Sequence, residues 1–159
     1  MQDSPDYTIV PIKSAFPRRA RDGGLDDLGQ AVEEHVADGG EPLRDVMRRA
    51  VPGERILLGS YCPFERNGPY KEYGPIFILA ADGGGVPPVL PTADTGDYFP
   101  KPFVLRAYSA DERIVDALIT EPADAEANIA KLFACGGTAF ILARFAAYGC
   151  YACRIERRP

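Results

Sequence analysis

The chain has 159 residues, of which 46% are hydrophobic, and this is the usual supply for one globular core. Its formal net charge of −5 disfavours binding to nucleic acid or to anionic lipid headgroups. No apolar run reaches the roughly 18 residues of a membrane-spanning helix, and the first residues lack the pattern of a secretory signal. We therefore expect a single cytoplasmic domain over residues 1–159, with four free thiols.

The first third of the chain predicts an edge strand followed by two helices. Residues 7–12 alternate as in a strand, and Pro11 favours a place at the edge of the sheet. The basic residues 17–21 are interpreted as a solvated connector, because acidic residues follow them at once. Apolar residues at helical spacing then predict a helix over residues 25–38 and a shorter one over residues 43–50.

The middle of the chain predicts two central strands and two long connections. Residues 54–61 and 75–81 are nearly continuous apolar runs, which is typical of strands covered on both faces. The loop 62–74 between them is rich in proline, glycine and aromatic residues. Residues 82–102 contain too many glycines and prolines for a regular element.

The last third predicts two hairpins and a helix. Residues 103–108 and 113–119 alternate as paired strands, and residues 138–146 and 150–157 form the second pair. Between them a helix starts at Thr120, a candidate N-cap, and ends before Gly136. The expected fold is α+β, with a mixed, mainly antiparallel sheet of about six strands and two longer helices packed on it.

Two arginines interrupt otherwise apolar strands. Arg106 and Arg144 must be paired if they are buried, because an unpaired buried charge is unfavourable by several kcal/mol or more. One interpretation is an internal ion pair with a carboxylate such as Glu65, Glu72 or Asp116. The other is a forked anchor for the carboxylate or phosphate of a ligand. The aromatic residues that could wall such a pocket are Tyr61, Phe64, Tyr70, Tyr73, Tyr108 and Tyr151, and the four predicted walls among them are Tyr61, Phe64, Tyr70 and Tyr108.

The residues that usually carry catalysis or bind metal give weaker signals. Cys62 follows a predicted strand and is the candidate nucleophile, but His35, the one histidine, is expected on a helix surface. Cys150 and Cys153 have a metal-like spacing, yet residues three apart in a strand point to opposite faces. Residues 94–96 read Asp-Thr-Gly but lack the apolar strand of an aspartic protease site. We predict no metal and no cofactor.

Several short motifs carry a resemblance to a known family. They are Leu-Gly-Ser-Tyr-Cys-Pro-Phe at 58–64, Gly-Pro-Tyr at 68–70, Gly-Pro-Ile-Phe-Ile at 74–78, Leu-Arg-Ala-Tyr at 105–108, and the segment 144–154. In this order and spacing the chain resembles the bacterial family catalogued as domain of unknown function 1203. The chain departs from that family at Leu79 and within residues 43–47, where relatives carry His and Cys. The resemblance therefore implies no activity and gives no support to a shared metal or thiol role.

Three functions remain open at this point. The leading hypothesis is a protein that binds a small anionic metabolite or a peptide terminus between Arg106, Arg144 and the aromatic walls. The second is a small enzyme that uses Cys62 or a tyrosine in the same pocket. The third is a homodimeric structural or interaction protein with the loop 62–74 at its interface.

Overall fold

The computed structural model describes residues 5–92 and 96–159, so two residues of the Asp-Thr-Gly motif lie outside it. Two sheets of five strands each make up most of the fold, with one helix of ten residues. The α+β class is confirmed. The expected single sheet of about six strands is wrong, because the strands divide between two sheets.

The regular elements follow one another in this order. They are β1 (Tyr7–Val10), α1 (Ala15–Arg18), a π-helical turn (Arg19–Gly23), β2 (Glu33–Val36), β3 (Pro42–Leu43), β4 (Arg48–Arg49), β5 (Arg55–Tyr61), β6 (Gly74–Leu79), β7 (Phe103–Tyr108), β8 (Ile114–Thr120), a 3-10 turn (Pro122–Asp124), α2 (Ala125–Ala134), β9 (Phe140–Phe145) and β10 (Tyr151–Arg157).

The first sheet has the order β1-β10-β9-β7-β8, and every neighbouring pair is antiparallel. It contains both predicted C-terminal hairpins, and β1 lies at an edge as Pro11 indicated. The second sheet has the order β2-β5-β6-β3-β4. Its β5 and β6 are the expected central strands, and its short β3 runs parallel to β6.

The helix predicted over residues 25–38 does not form. Gly29 has a φ of 73°, a left-handed conformation that interrupts a right-handed helix, and β2 pairs with β5 instead. The buried carboxylate of Asp26 accepts hydrogen bonds from the backbone N–H groups of Leu28, Gln30 and Ser60. Leu28 is consequently 49% exposed, so the helical spacing of the apolar residues here does not reflect a buried face.

The helix predicted over residues 43–50 is a hairpin of β3 and β4. Met47 closes the turn with a φ of 52°, and Leu43 pairs with Phe77 of β6. The backbone N–H of Arg44 donates to the carbonyl of Phe77 at 2.9 Å. Pairing with a distant strand thus replaces the local helical hydrogen bonds that the spacing predicted.

The basic stretch near residues 17–21 is more ordered than a solvated connector. It forms α1 and the π-helical turn, where Arg19 is paired with Asp27 and Arg21 lies 2.8 Å from Asp45. Both carboxylates come from outside the stretch, so these ion pairs attach α1 and the turn to the second sheet.

The core lies on both faces of the first sheet. On one face, α2 buries Ala125, Ile129 and Leu132, and Tyr98 donates from its hydroxyl to the carbonyl of Ala152 at 2.6 Å. On the other face, side chains of β9 and β10 pack against β5 and β6 of the second sheet. Thr120 does not cap the helix, because its Oγ1 accepts a hydrogen bond from another side chain.

Within the ranges that the structure describes, no helix is both long and apolar enough to cross a membrane.

Candidate functional site

A cleft of about 830 Å³ opens where the β9–β10 turn approaches the second sheet. The segment 38–44 forms one side of the cleft, and residues 72–77 at the start of β6 form another. Residues 148–151 of the β9–β10 hairpin close the third side. The charged side chains of the lining are three arginines, Arg44, Arg49 and Arg144, and three carboxylates, Asp38, Glu41 and Glu72.

Arg44 lies in the β3–β4 turn and is only 3% exposed. Its Nε donates to the carbonyl of Tyr151 at 2.8 Å, and its Nη1 donates to the carbonyl of Pro42 at 2.7 Å. Its Nη2 donates to Sγ of Cys150 at 3.1 Å. No carboxylate of the described residues lies within 4.0 Å of this guanidinium, so its hydrogen bonds go to two carbonyls and a thiol.

Arg49, on β4, is a second cation without a carboxylate at 4.0 Å in the described ranges. Its Nη1 and Nη2 donate to the carbonyls of Gly40 and Tyr98 at 2.9 and 3.0 Å, and its buried Nε has no partner there. Its guanidinium carbon and that of Arg44 both lie 5.1 Å from the ring centroid of Phe145. Burial, followed by the charge of Arg44, lowers the pKa of Arg49.

Arg144 and Arg106 meet at one carboxylate, that of Glu72. Arg144 on β9 has a side chain only 7% exposed, and its Nη2 is paired with Oε1 of Glu72. Nη1 of Arg106 on β7 lies 3.9 Å from the same oxygen. The internal ion pair, one of the two interpretations of these arginines, is therefore present, and Glu72 is its carboxylate. Burial lowers the pKa of Arg144, and its Nε has no partner among the described atoms.

Only one of the four predicted aromatic walls lines this cleft. Tyr61 does so, and burial raises its pKa to about 12, so its hydroxyl stays protonated near neutral pH. Phe64 and Tyr108 are buried, with ring centroids 5.4 Å apart. Tyr70 is 37% exposed and lies under the guanidinium of Arg113 instead. The other aromatic residues that line the cleft are Tyr73, Phe77, Tyr148 and Tyr151.

The four thiols lie in different surroundings. Cys62, the candidate nucleophile, is 6% exposed, and its Sγ donates to the carbonyl of Phe64. Cys153 is buried in the core, which raises its pKa, and Cys135 lies near the end of α2. Cys150 is half-buried and lines the cleft. In the described ranges, no group of three or more His, Cys, Asp or Glu side chains is placed to hold a metal ion.

Sequence reasoning missed Arg44, Arg49 and Cys150 as neighbours of Arg144. The two arginines fell on the polar side of a helix that does not form, where charged residues are normally exposed. Each is also preceded by a carboxylate at helical pairing distance, Glu41 before Arg44 and Asp45 before Arg49. No local feature of the sequence therefore marks either arginine as unpaired.

The fold and the cleft define an α+β protein of two packed sheets, with an arginine-lined cleft between them. The family model described as "Protein of unknown function (DUF1203)" matches residues 40–157. The chain therefore belongs to the DUF1203 family, as its motifs indicated. The match includes all three cleft arginines, and excludes β1 and β2. No curated protein and no solved structure matches the chain.

Proposed function

We propose that the protein binds a small anion, through a carboxylate or a phosphate group, in the cleft between the sheets. The observation that carries the proposal is that Arg44 and Arg49, two of the three arginines that line the cleft, have no carboxylate within 4.0 Å of their guanidinium groups in the described residues. Asp38, Glu41 and Glu72 also line the cleft, but only Glu72 lies that close to one of its arginines, Arg144.

The energetics of Arg44 and Arg49 support an anionic ligand. A buried guanidinium without a counter-ion is unfavourable even when carbonyl groups accept its hydrogen bonds. An anion that reaches these groups forms charge-assisted hydrogen bonds, which are about twice as strong as neutral ones. Ligand binding would thus remove an unfavourable feature of the free protein.

Glu72 supports a carboxylate in particular. Its side chain is 43% exposed and belongs to the loop 62–74, while Arg144 belongs to a buried strand. A carboxylate therefore already fits against Arg144, held by a loop whose neighbouring residues are exposed. A ligand carboxylate would take the place of Glu72 and gain the same hydrogen bonds.

The roles expected of the predicted residues change accordingly. In this proposal Arg144 is an anchor, Arg106 retains Glu72 beside the cleft, and Tyr61 contributes to the wall. Tyr73 and Tyr148, which are 42% and 91% exposed, flank the opening and would contact a flat or apolar part of the ligand. Phe64, Tyr70 and Tyr108 have no contact with the ligand.

The test uses citrate and inorganic phosphate as probes, at constant ionic strength maintained with chloride. We expect each probe to raise the Tm of the protein, and calorimetric titration at 25 °C to give a saturable heat. Arg49→Met should abolish both effects. Arg55→Met is the matched control, because Arg55 is an exposed arginine paired with Glu34 outside the cleft.

Each variant is compared with its own Tm in chloride, so a loss of stability in Arg49→Met does not obscure the result. Equal responses of Arg49→Met and Arg55→Met to the probes would contradict the proposal. So would the absence of any saturable heat with either probe in the wild-type protein.

A further inference from the structure

We propose that Cys150 is a site of thiol–disulfide exchange that is selective for small disulfides carrying negative charge. The arginines that define the cleft also surround this thiol. The inference concerns a covalent modification, and so it does not require that the cleft retain a free anion.

The first observation is the position of the sulfur. Sγ of Cys150 accepts a hydrogen bond from Nη2 of Arg44 at 3.1 Å, and it also interacts electrostatically with Arg49 and Arg144. The attacking sulfur therefore lies among three guanidinium groups, which attract a reagent that carries negative charge. The half-buried side chain faces an open cleft, so a small molecule can reach it.

A second, independent observation points to an anionic reagent. The side chain of Arg144 is 93% buried on the cleft wall, and its Nε has no partner in the described part of the chain. A buried cation with an unpaired N–H group favours an added acceptor, and preferably a charged one. A disulfide that carries carboxylates would be held close to Sγ by the guanidinium groups of Arg44, Arg49 and Arg144.

The reaction balances without any further reagent. The thiol of Cys150 loses its proton to solvent, and the thiolate attacks one sulfur of the disulfide. A bond forms between Sγ and that sulfur while the S–S bond of the reagent breaks. The departing thiolate takes the bonding electron pair and is then protonated by solvent. The disulfide is the oxidant, and it is reduced to one equivalent of free thiol.

Cys135 provides a control within the same chain. It is also a free thiol of intermediate burial, but its Sγ lies 3.7 Å from Oδ2 of Asp116, a negative neighbour. The two thiols therefore face opposite charges. Cys62 and Cys153 are buried and should react more slowly than either.

The experiment treats the reduced protein at pH 7.5 and low salt with oxidised glutathione, which is anionic, or with cystamine, which is cationic. Peptide mass spectrometry follows each mixed disulfide over time. We expect Cys150 to prefer the anionic reagent, relative to Cys135, by about fivefold or more, the factor that one charge at contact distance supplies in water. Arg44→Met should remove most of this preference, whereas Arg55→Met should leave it unchanged.

A wild-type measurement protects the test if Arg44→Met fails to fold. Raising the salt to about 0.5 M should reduce the preference of Cys150, because screening weakens the attraction. The same charge preference at Cys150 and Cys135 would overturn the inference, as would a preference unaffected by salt. Selectivity at Cys150 without any binding of citrate or phosphate would support this inference and overturn the proposed function. Binding of citrate or phosphate without selectivity at Cys150 would support the proposed function and overturn this inference.

Discussion

Replacing Glu72 by Gln tests whether this side chain occupies the place of a ligand. The substitution keeps the size of the side chain and removes the charge that pairs with Arg144 and lies 3.9 Å from Arg106. Two opposite effects should follow. The free protein becomes less stable because Arg144 loses its counter-ion, and its affinity for anions rises because the competing carboxylate is gone.

The magnitudes follow from the burial of the two partners. Removing one partner of a fully buried ion pair is unfavourable by about 3–5 kcal/mol, but exposed pairs contribute only about 0.2–1 kcal/mol. Here Arg144 is 7% exposed and Glu72 is 43% exposed, so the pair lies between these limits. We expect Glu72→Gln to lower the free energy of unfolding by about 1–2 kcal/mol in chloride. The same energy, released from competition, raises citrate affinity by about tenfold.

The assay is urea unfolding of Glu72→Gln and wild type, each in chloride and in citrate of equal ionic strength. Citrate at about 100 times its Kd should stabilise either protein by about 2.7 kcal/mol. Because the Kd for citrate is lower in Glu72→Gln, the same moderate concentration of citrate should stabilise this variant more than wild type. Glu65→Gln is the control, since Glu65 lies on the same loop, is 74% exposed and pairs with Lys13 away from the cleft. Equal citrate stabilisation of Glu72→Gln and wild type would show that Glu72 does not compete with the ligand.

Two further predictions concern carboxylates outside the cleft. Asp26→Ala should lower the free energy of unfolding by about 2–4 kcal/mol in urea titrations, because the N–H group of Ser60 and two others lose their buried acceptor; a loss below about 0.5 kcal/mol would contradict this. Glu54 has its pKa lowered from 4.5 to about 2, chiefly by hydrogen bonding to Arg48. Its contribution is therefore complete above about pH 5 and is lost as the pH falls towards 2. Glu54→Gln should lower the free energy of unfolding by about 1 kcal/mol at pH 7 and by almost nothing near pH 2. The same pH dependence of this free energy in Glu54→Gln and wild type would contradict the role of the Glu54–Arg48 pair.

The strands could be predicted from sequence because their signals are local. Residues 54–61 and 75–81 are apolar runs bounded by turn-forming residues, and they form β5 and β6. The C-terminal hairpins were equally visible, since each contains two alternating segments and a short turn. The division of these strands between two sheets was not visible, because it depends on which edges meet in space.

The two false helices share one physical cause. In both segments, apolar residues at helical spacing competed with hydrogen bonds to distant partners, and the distant partners prevailed. Asp26 holds the backbone of Ser60, and Leu43 pairs with Phe77. The spacing of apolar residues shows only which of them would share a face if a helix formed. Pairing with distant strands overrides this weak local preference for a helix. Gly29, in a left-handed conformation, was the local sign against the first helix.

Of the three cleft arginines, only Arg144 could be predicted from the sequence. Arg144 attracted notice because it interrupts an apolar strand, which signals a buried charge whatever the fold. Arg44 and Arg49 gave no such signal, because an arginine in a polar stretch is normally solvated. Only the hairpin of β3 and β4 brings them to Phe145, about a hundred residues along the chain.

The acidic composition of the chain and the arginines of the cleft are consistent, because the two act over different distances. The net charge of −5 acts over the whole surface and disfavours a polyanion that must cover much of it. The small anion of the proposed function would contact Arg44, Arg49 and Arg144 within a few ångströms, where buried charges are poorly screened. Exposed charges farther away than about 8 Å contribute little at physiological salt. The same charge distribution therefore disfavours a polyanion and is consistent with the proposed ligand, which fits entirely within the cleft.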